Sequence, residues 1–111
     1  MIRELLRSDY FAADFEIAYA WYWRTAGESI ARRYLEAVIR SVESLQRIPG
    51  QGRPRYFSHP ELADIRSWRV APPFDAHLVF YRCSENAVLL FRLLHGRRNL
   101  PSRLLEPPSA D

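Results

Sequence analysis

The sequence predicts an α+β fold in which an N-terminal strand and a two-helix antiparallel hairpin pack on a small antiparallel β-sheet. Three observations predict it. Two neighbouring stretches repeat apolar residues at helical spacing, three later runs are rich in strand-forming residues, and a segment rich in Pro and Gly separates the two sets. The 111 residues suffice for one hydrophobic core, so we expect a single domain.

The first helix follows a short strand predicted over residues 2–7. Ser8 and Asp9 supply the N-cap signal that starts this helix. Its apolar face is made of four residues spaced by four, three and four positions, namely Phe11, Phe15, Ala18 and Tyr22. The remaining aromatic residues of the helix leave two interpretations open, a contribution to the core or a surface on which partner groups stack.

The second helix begins after Gly27 and has the clearest periodicity in the chain. Its expected buried residues alternate spacings of four and three, namely Ala31, Leu35, Val38, Val42 and Leu45. The opposite face alternates arginine and glutamate, as is typical of a helix surface in contact with water. Two helices joined by a short link that contains glycine should fold back as an antiparallel hairpin.

Three strands are predicted in the second half of the chain, namely Ile65–Val70, His77–Cys83 and Val88–Leu94. The preceding segment 49–60 is expected to be an irregular loop, and its glycines do not form a phosphate-binding pattern. Cys83 is the single cysteine and is expected to be a small buried residue. The histidine spacing suggests no metal site. We expect the domain to cover residues 1–100 and residues 101–111 to form a flexible C-terminal tail.

Positive charge is concentrated in the second half of the chain. Residues 1–46 hold six arginines and seven acidic residues, whereas residues 47–103 hold ten arginines and four acidic residues. A surface this basic can meet nucleic acid or an acidic protein segment, and charge alone leaves both open. No apolar run approaches the roughly 18 residues that would cross a bilayer, and no signal peptide follows Met1. We therefore expect no membrane association and a cytoplasmic location.

Three stretches of the chain resemble the ParE/RelE toxin superfamily of bacterial type II toxin–antitoxin systems. The first two are the helix 8–22 and the segment 27–52, whose glycines and apolar spacing match the family pattern. The third runs through Leu78-Val79-Phe80-Tyr81 and residues 88–94 to the ending His95-Gly96-Arg97-Arg98-Asn99, which is similar to the ParE ending I-x-R-V-L-H-G-R-R-D. The resemblance covers about residues 1–100 and favours the ParE branch, the plasmid stabilisation toxins.

The ParE resemblance implies a toxin that inhibits DNA gyrase by binding it, needs no cofactor, and is neutralised by a cognate antitoxin. A basic surface would then bind the target, with six candidate residues: Arg66, Arg69, Arg92, His95, Arg97 and Arg98. Antitoxins of this class bury apolar anchors between the helices and the sheet. Trp23 and Tyr34, expected to be exposed on the helical hairpin, are the candidate antitoxin contacts.

Two alternatives remain open at this stage. The first is a ribosome-dependent mRNA endonuclease of the RelE branch, with His95, Arg98 and Arg66 around the scissile phosphate. Against an enzyme, this chain has His77 where that branch places an arginine, and no tyrosine follows His95. The second alternative is a non-toxic relic that still binds antitoxin, because Asn99 replaces the aspartate of the ParE ending.

Overall fold

A computed structural model describes residues 2–96 and 99–109. Within them the chain forms five strands and three α-helices, in the order β1 (Glu4–Arg7), α1 (Asp9–Ala26), α2 (Glu28–Arg47), β2 (Arg53–Pro54), β3 (Arg66–Arg69), β4 (His77–Cys83), β5 (Ala87–His95) and α3 (Leu100–Leu105). The predicted α+β class and the N-terminal strand followed by a helical hairpin are confirmed. Over the same residues no helix has the length and apolar character needed to span a bilayer.

The five strands form one sheet in the order β1-β5-β4-β3-β2. Strands β3, β4 and β5 pair antiparallel, as predicted, and β2 adds an antiparallel strand that was not predicted. Strand β1 pairs parallel with β5, with Glu4 opposite Ala87, so the complete sheet is mixed. A four-residue strand carries no local signal for its direction, because its partner lies at the far end of the chain.

The N-terminus of α1 is held by Ser8, as predicted. Its Oγ accepts a hydrogen bond from the backbone N–H of Phe11 over 3.0 Å and donates one to the carbonyl of Phe91 over 2.6 Å. The cap therefore satisfies a free amide of the first turn and fastens the helix to β5. Phe11 is buried, and the other residues of the predicted apolar face, Phe15, Ala18 and Tyr22, pack against the same core.

Helix α2 buries four of the five residues that its periodicity predicts, namely Ala31, Val38, Val42 and Leu45. The exception is Leu35, which is partly exposed, while the neighbouring Tyr34 lies fully inside the core. The spacing of three from Ala31 to Tyr34 fits a helical face as well as the spacing of four to Leu35 does. The predicted buried face of α2 is therefore correct except that Tyr34 takes the place of Leu35.

The loop before β3 is anchored by Tyr81 of the central strand. The Tyr81 hydroxyl donates to the carbonyl of Pro49 over 2.6 Å and accepts from the N–H of Gly52 over 3.0 Å. A Cβ on Gly52 would meet this ring at well under 3 Å, so the close approach requires glycine. The loop also contributes strand β2, which the density of Pro and Gly did not predict.

A second, smaller core covers the sheet on the side away from the helical hairpin. It contains Leu62 and Ile65 from the loop, Leu78 and Phe80 from β4, and Leu104 from α3. Because residues 100–105 form a helix that buries Leu104, the expected flexible tail is wrong for this segment. Cys83 ends β4 as an exposed residue, so its expected burial is wrong as well.

Candidate functional site

An apolar groove lies between the two helices of the hairpin and is bordered by β1. This hairpin groove has a volume of about 510 Å³. Its lining is mostly aliphatic and aromatic, with Leu5, Phe15, Leu35, Ile39 and Val42 among the contributors, and Arg7, Glu16 and Glu43 add charge. Ile39 is 46% exposed and Leu5 is also exposed, so the groove presents apolar surface to an incoming partner.

Aromatic rings extend the groove along α1 toward the C-terminus of that helix. Phe15, Tyr19 and Trp23 follow one another at four-residue spacing, with ring centroids 5.8 Å and 6.0 Å apart. Trp23 is about half exposed. The predicted antitoxin contact at Trp23 therefore lies on accessible surface beside the hairpin groove, and it stays a prediction.

Tyr34 does not offer such a surface. Its ring has no exposed area, stacks on Phe15 at 6.0 Å and meets Phe74 edge-on at 5.3 Å. The expectation that Tyr34 is an exposed antitoxin anchor is wrong, because the helix turns this side chain into the centre of the main core. The helical spacing from Ala31 fits Tyr34 and Leu35 equally well, so spacing alone did not indicate that Tyr34 is the buried residue.

The hydroxyl of Tyr34 points to a half-buried group of tyrosine and histidine side chains. His77 Nδ1 lies 3.4 Å from this hydroxyl, and His77 Nε2 lies 3.3 Å from the hydroxyl of Tyr22. The His95 ring lies edge-on to the His77 ring, 5.5 Å away. Burial, followed by the charge of His95, lowers the pKa of His77 to about 4, and burial raises the pKa of both tyrosines. His77 is therefore a neutral imidazole at neutral pH, with both ring nitrogens facing a hydroxyl.

Arg92 is a structural residue of the protein interior. Its side chain is 2% exposed, and Nε and Nη2 donate to the two oxygens of Asp14 over 2.7 Å and 2.9 Å. Nη1 donates to the carbonyls that end α3, those of Arg103, Leu104 and Glu106. A buried guanidinium with all these partners has no surface left for another protein, so the expected target contact at Arg92 is wrong.

Arg66 and Arg69 lie on opposite sides of β3. Arg66 is opposite Tyr81, on the helical side of the sheet, and its Nη1 donates to the carbonyls of Gly50 and Gly52. Arg69 is opposite Leu78, on the other side, and its Nη1 donates to the carbonyl of Asp75 over 2.8 Å. The two candidate target-binding residues are therefore not brought together on one face.

The remaining candidates lie at the end of β5. His95 is half-buried beside His77, and its carbonyl accepts a hydrogen bond from Nη1 of Arg103 over 2.7 Å. Arg97 and Arg98 lie outside the described residues. Within the described part of the chain, no group of three His, Cys, Asp or Glu side chains could hold a metal ion.

Comparison with known proteins agrees with this geometry. The chain matches the family model of the ParE toxin of the type II toxin–antitoxin system, parDE, over residues 5–100. It is similar in fold to a solved structure titled "Chromosomal ParDE TA system from P. aeruginosa", with a TM-score of 0.69 and 19% identity over 86% of this chain and 98% of that chain. No curated protein matches. Because the family model spans most of the sequence, the chain belongs to the ParE toxin family of type II toxin–antitoxin systems.

Proposed function

We propose that this protein inhibits DNA gyrase by binding it, without catalysing a reaction, and that a cognate antitoxin neutralises it. The environment of His77 carries the first part of this proposal. His77 occupies the place where the RNA-cleaving branch of the superfamily has an arginine, and here it is a half-buried neutral imidazole between two tyrosine hydroxyls.

Cleavage of RNA through a ribose 2′-hydroxyl requires a base, an acid and positive charge on the scissile phosphate. A neutral His77 supplies no such charge. Arg66 is a second candidate for that role, but its Nη1 donates to the carbonyls of Gly50 and Gly52. Its side chain also lies on the opposite face of the sheet from that of Arg69. These environments support inhibition by binding over RNA cleavage.

The hairpin groove supports the second part of the proposal. The hairpin groove, with a volume of about 510 Å³ between two helices, suits an amphipathic segment that inserts apolar side chains at helical spacing. The charges of Arg7, Glu16 and Glu43 along the groove can fix the register of such a segment. The net charge of +3 favours an acidic antitoxin, which would also be attracted over a distance.

The gyrase-binding surface in this proposal is the end of β5 and the segment that follows it. His95, Arg97 and Arg98 are its proposed contacts, and Arg69 is a further candidate on β3. The proposal leaves out Arg92, which is buried, and Arg66, whose Nη1 donates to the loop carbonyls of Gly50 and Gly52. Binding to gyrase would take place in the cytoplasm.

Two assays on the purified protein test the proposal side by side. One measures gyrase supercoiling of plasmid DNA, and the other measures cleavage of messenger RNA on translating ribosomes. We expect loss of supercoiling with intact message. Cleaved message would instead make His95 and Arg98 catalytic, and silence in both assays with retained antitoxin binding would indicate a relic.

A further inference from the structure

Three arginines gather on the side of the sheet that faces away from the helical hairpin. Arg53 of β2 is opposite Ser67 of β3, and Arg69 lies two residues further along that strand. Arg55 follows β2, and its Nη1 donates to the hydroxyl of Ser67 over 3.1 Å. Side chains at such positions share one face of a sheet, so Arg53, Arg55 and Arg69 form a β2–β3 arginine cluster.

No described carboxylate forms an ion pair with this cluster. The ion pairs found among the described residues join Arg32 to Glu28 and Arg92 to Asp14, and neither involves the cluster. Burial, and then repulsion from Arg53 and Arg69, lowers the pKa of Arg55. Clustered positive charge without a carboxylate partner is complementary to a polyanion.

Two of the guanidinium groups are also held in place. Arg55 lies over the rings of Phe57 and Phe80 at 5.9 Å from each centroid, in addition to its bond to Ser67. Arg69 is tied to the carbonyl of Asp75. These contacts reduce the side-chain entropy that would be lost when an anion binds.

A highly exposed aromatic residue follows the cluster in the sequence. Tyr56 follows Arg55 directly and is 92% exposed, the highest exposure of any large apolar or aromatic side chain described. An exposed phenol ring close in sequence to arginines can stack on an unpaired base, because every base offers a flat face for stacking. An acidic peptide would use the arginines but would have no need of the ring.

We propose that the β2–β3 arginine cluster and Tyr56 bind a single-stranded nucleic acid, with the arginines on the phosphodiester backbone and Tyr56 stacked on a base. This binding is additional to gyrase inhibition, and Arg69 is the residue that the two proposed surfaces share. The cluster lies at the β2 edge of the sheet and the hairpin groove borders β1 at the opposite edge. An antitoxin in the groove therefore leaves the cluster free.

Fluorescence anisotropy with a labelled oligothymidylate of about 12 nucleotides tests the proposal. The double variant Arg53→Gln/Arg69→Gln should bind at least about tenfold more weakly, and its plot of log affinity against log salt should be shallower by about 1.4 for two lost phosphate contacts. Tyr56→Ala should weaken binding by about fivefold or more without changing that slope, because stacking releases no counterions.

The matched control is Arg24→Gln/Arg33→Gln, which removes the same charge from exposed positions on the helical hairpin. It should keep its affinity within about twofold. An equal loss of affinity in this control would show that net charge alone explains the weaker binding, and would overturn the proposal. An unchanged Tyr56→Ala, or equally effective competition by polyglutamate, would assign the cluster to an acidic protein and overturn it too. Tyr56 is solvent-exposed, so its variant remains informative should the arginine variant fail to fold.

Discussion

The guanidinium of Arg92 and the carboxylate of Asp14, 78 residues apart in the sequence, form two parallel hydrogen bonds in the protein interior. Asp14 also accepts the backbone N–H of Leu93 over 3.0 Å, and Arg92 donates to the last carbonyls of α3. One ion pair thus joins α1, β5 and α3. It also covers polar groups of a strand edge and a helix end that would otherwise be unpaired.

Replacing Asp14 by Asn should strongly destabilise the protein. The change removes the negative charge but leaves Arg92 buried, and an unpaired buried charge costs about 3–5 kcal/mol. Urea unfolding measures the loss. The control is Glu28→Gln in the exposed pair with Arg32, which should change the free energy of unfolding by no more than about 0.5 kcal/mol. Similar losses in both variants would contradict the structural role given to Arg92.

The stability of the protein should fall in mild acid because of His77. In the folded protein the pKa of His77 is about 4, below the value of 6.5 expected for an unfolded chain. The unfolded state therefore binds a proton first as the pH falls. The stabilisation from neutral His77 is complete above about pH 6.5 and is lost progressively down to about pH 4, by up to roughly 3 kcal/mol.

The variant His77→Gln isolates this contribution, since glutamine can still hydrogen-bond to Tyr22 and Tyr34 but takes up no proton. Urea unfolding from pH 7.5 to 4.5 should show a weaker pH dependence for this variant than for the unmodified protein. His59→Gln, in an exposed loop, serves as the control and should keep the original dependence. A pH dependence unchanged by His77→Gln would assign the acid sensitivity to other groups.

The hairpin groove gives a test of antitoxin binding that leaves the core intact. Ile39→Asp places a charge on the groove wall at a half-exposed position and should weaken binding of the cognate antitoxin by at least about tenfold, with little change in stability. The control is Ile48→Asp, since Ile48 is 60% exposed and does not line the groove. Titration calorimetry with the purified antitoxin measures both affinities. Equal affinities would place the antitoxin elsewhere.

Local patterns predicted the parts of the fold that local forces determine. The Ser8 cap, the apolar face of α1 and the limits of β4 are confirmed, because each depends on residues within a few positions of one another. The tail fails as a prediction because burial of Leu104 depends on contacts with β4, a strand distant in sequence. Periodicity alone also could not choose between Tyr34 and Leu35, which differ by one position on the same helix.

The candidate site was harder to predict than the fold for a related reason. The local sequence around an arginine in a strand does not show whether its side chain faces solvent or a buried carboxylate. Arg92 pairs with Asp14 only because α1 packs against β5. Arg66 and Arg69 are both predicted target contacts, although an odd spacing in a strand directs them to opposite faces. The alternation of side chains along a strand predicts this separation from the sequence alone.

The last prediction concerns the basic segment after β5. Replacing Arg97 and Arg98 by Ala should abolish growth inhibition and restore gyrase supercoiling, because the proposed target surface loses two charges there. Antitoxin binding should stay mostly intact, since the described lining of the hairpin groove comes from β1, α1, α2 and Leu90 of β5. Arg24→Ala/Arg33→Ala removes equal charge from the exposed helical hairpin and should remain toxic. Retained toxicity in the Arg97/Arg98 variant would move the target surface away from this segment, and loss of toxicity in both variants would attribute the effect to net charge.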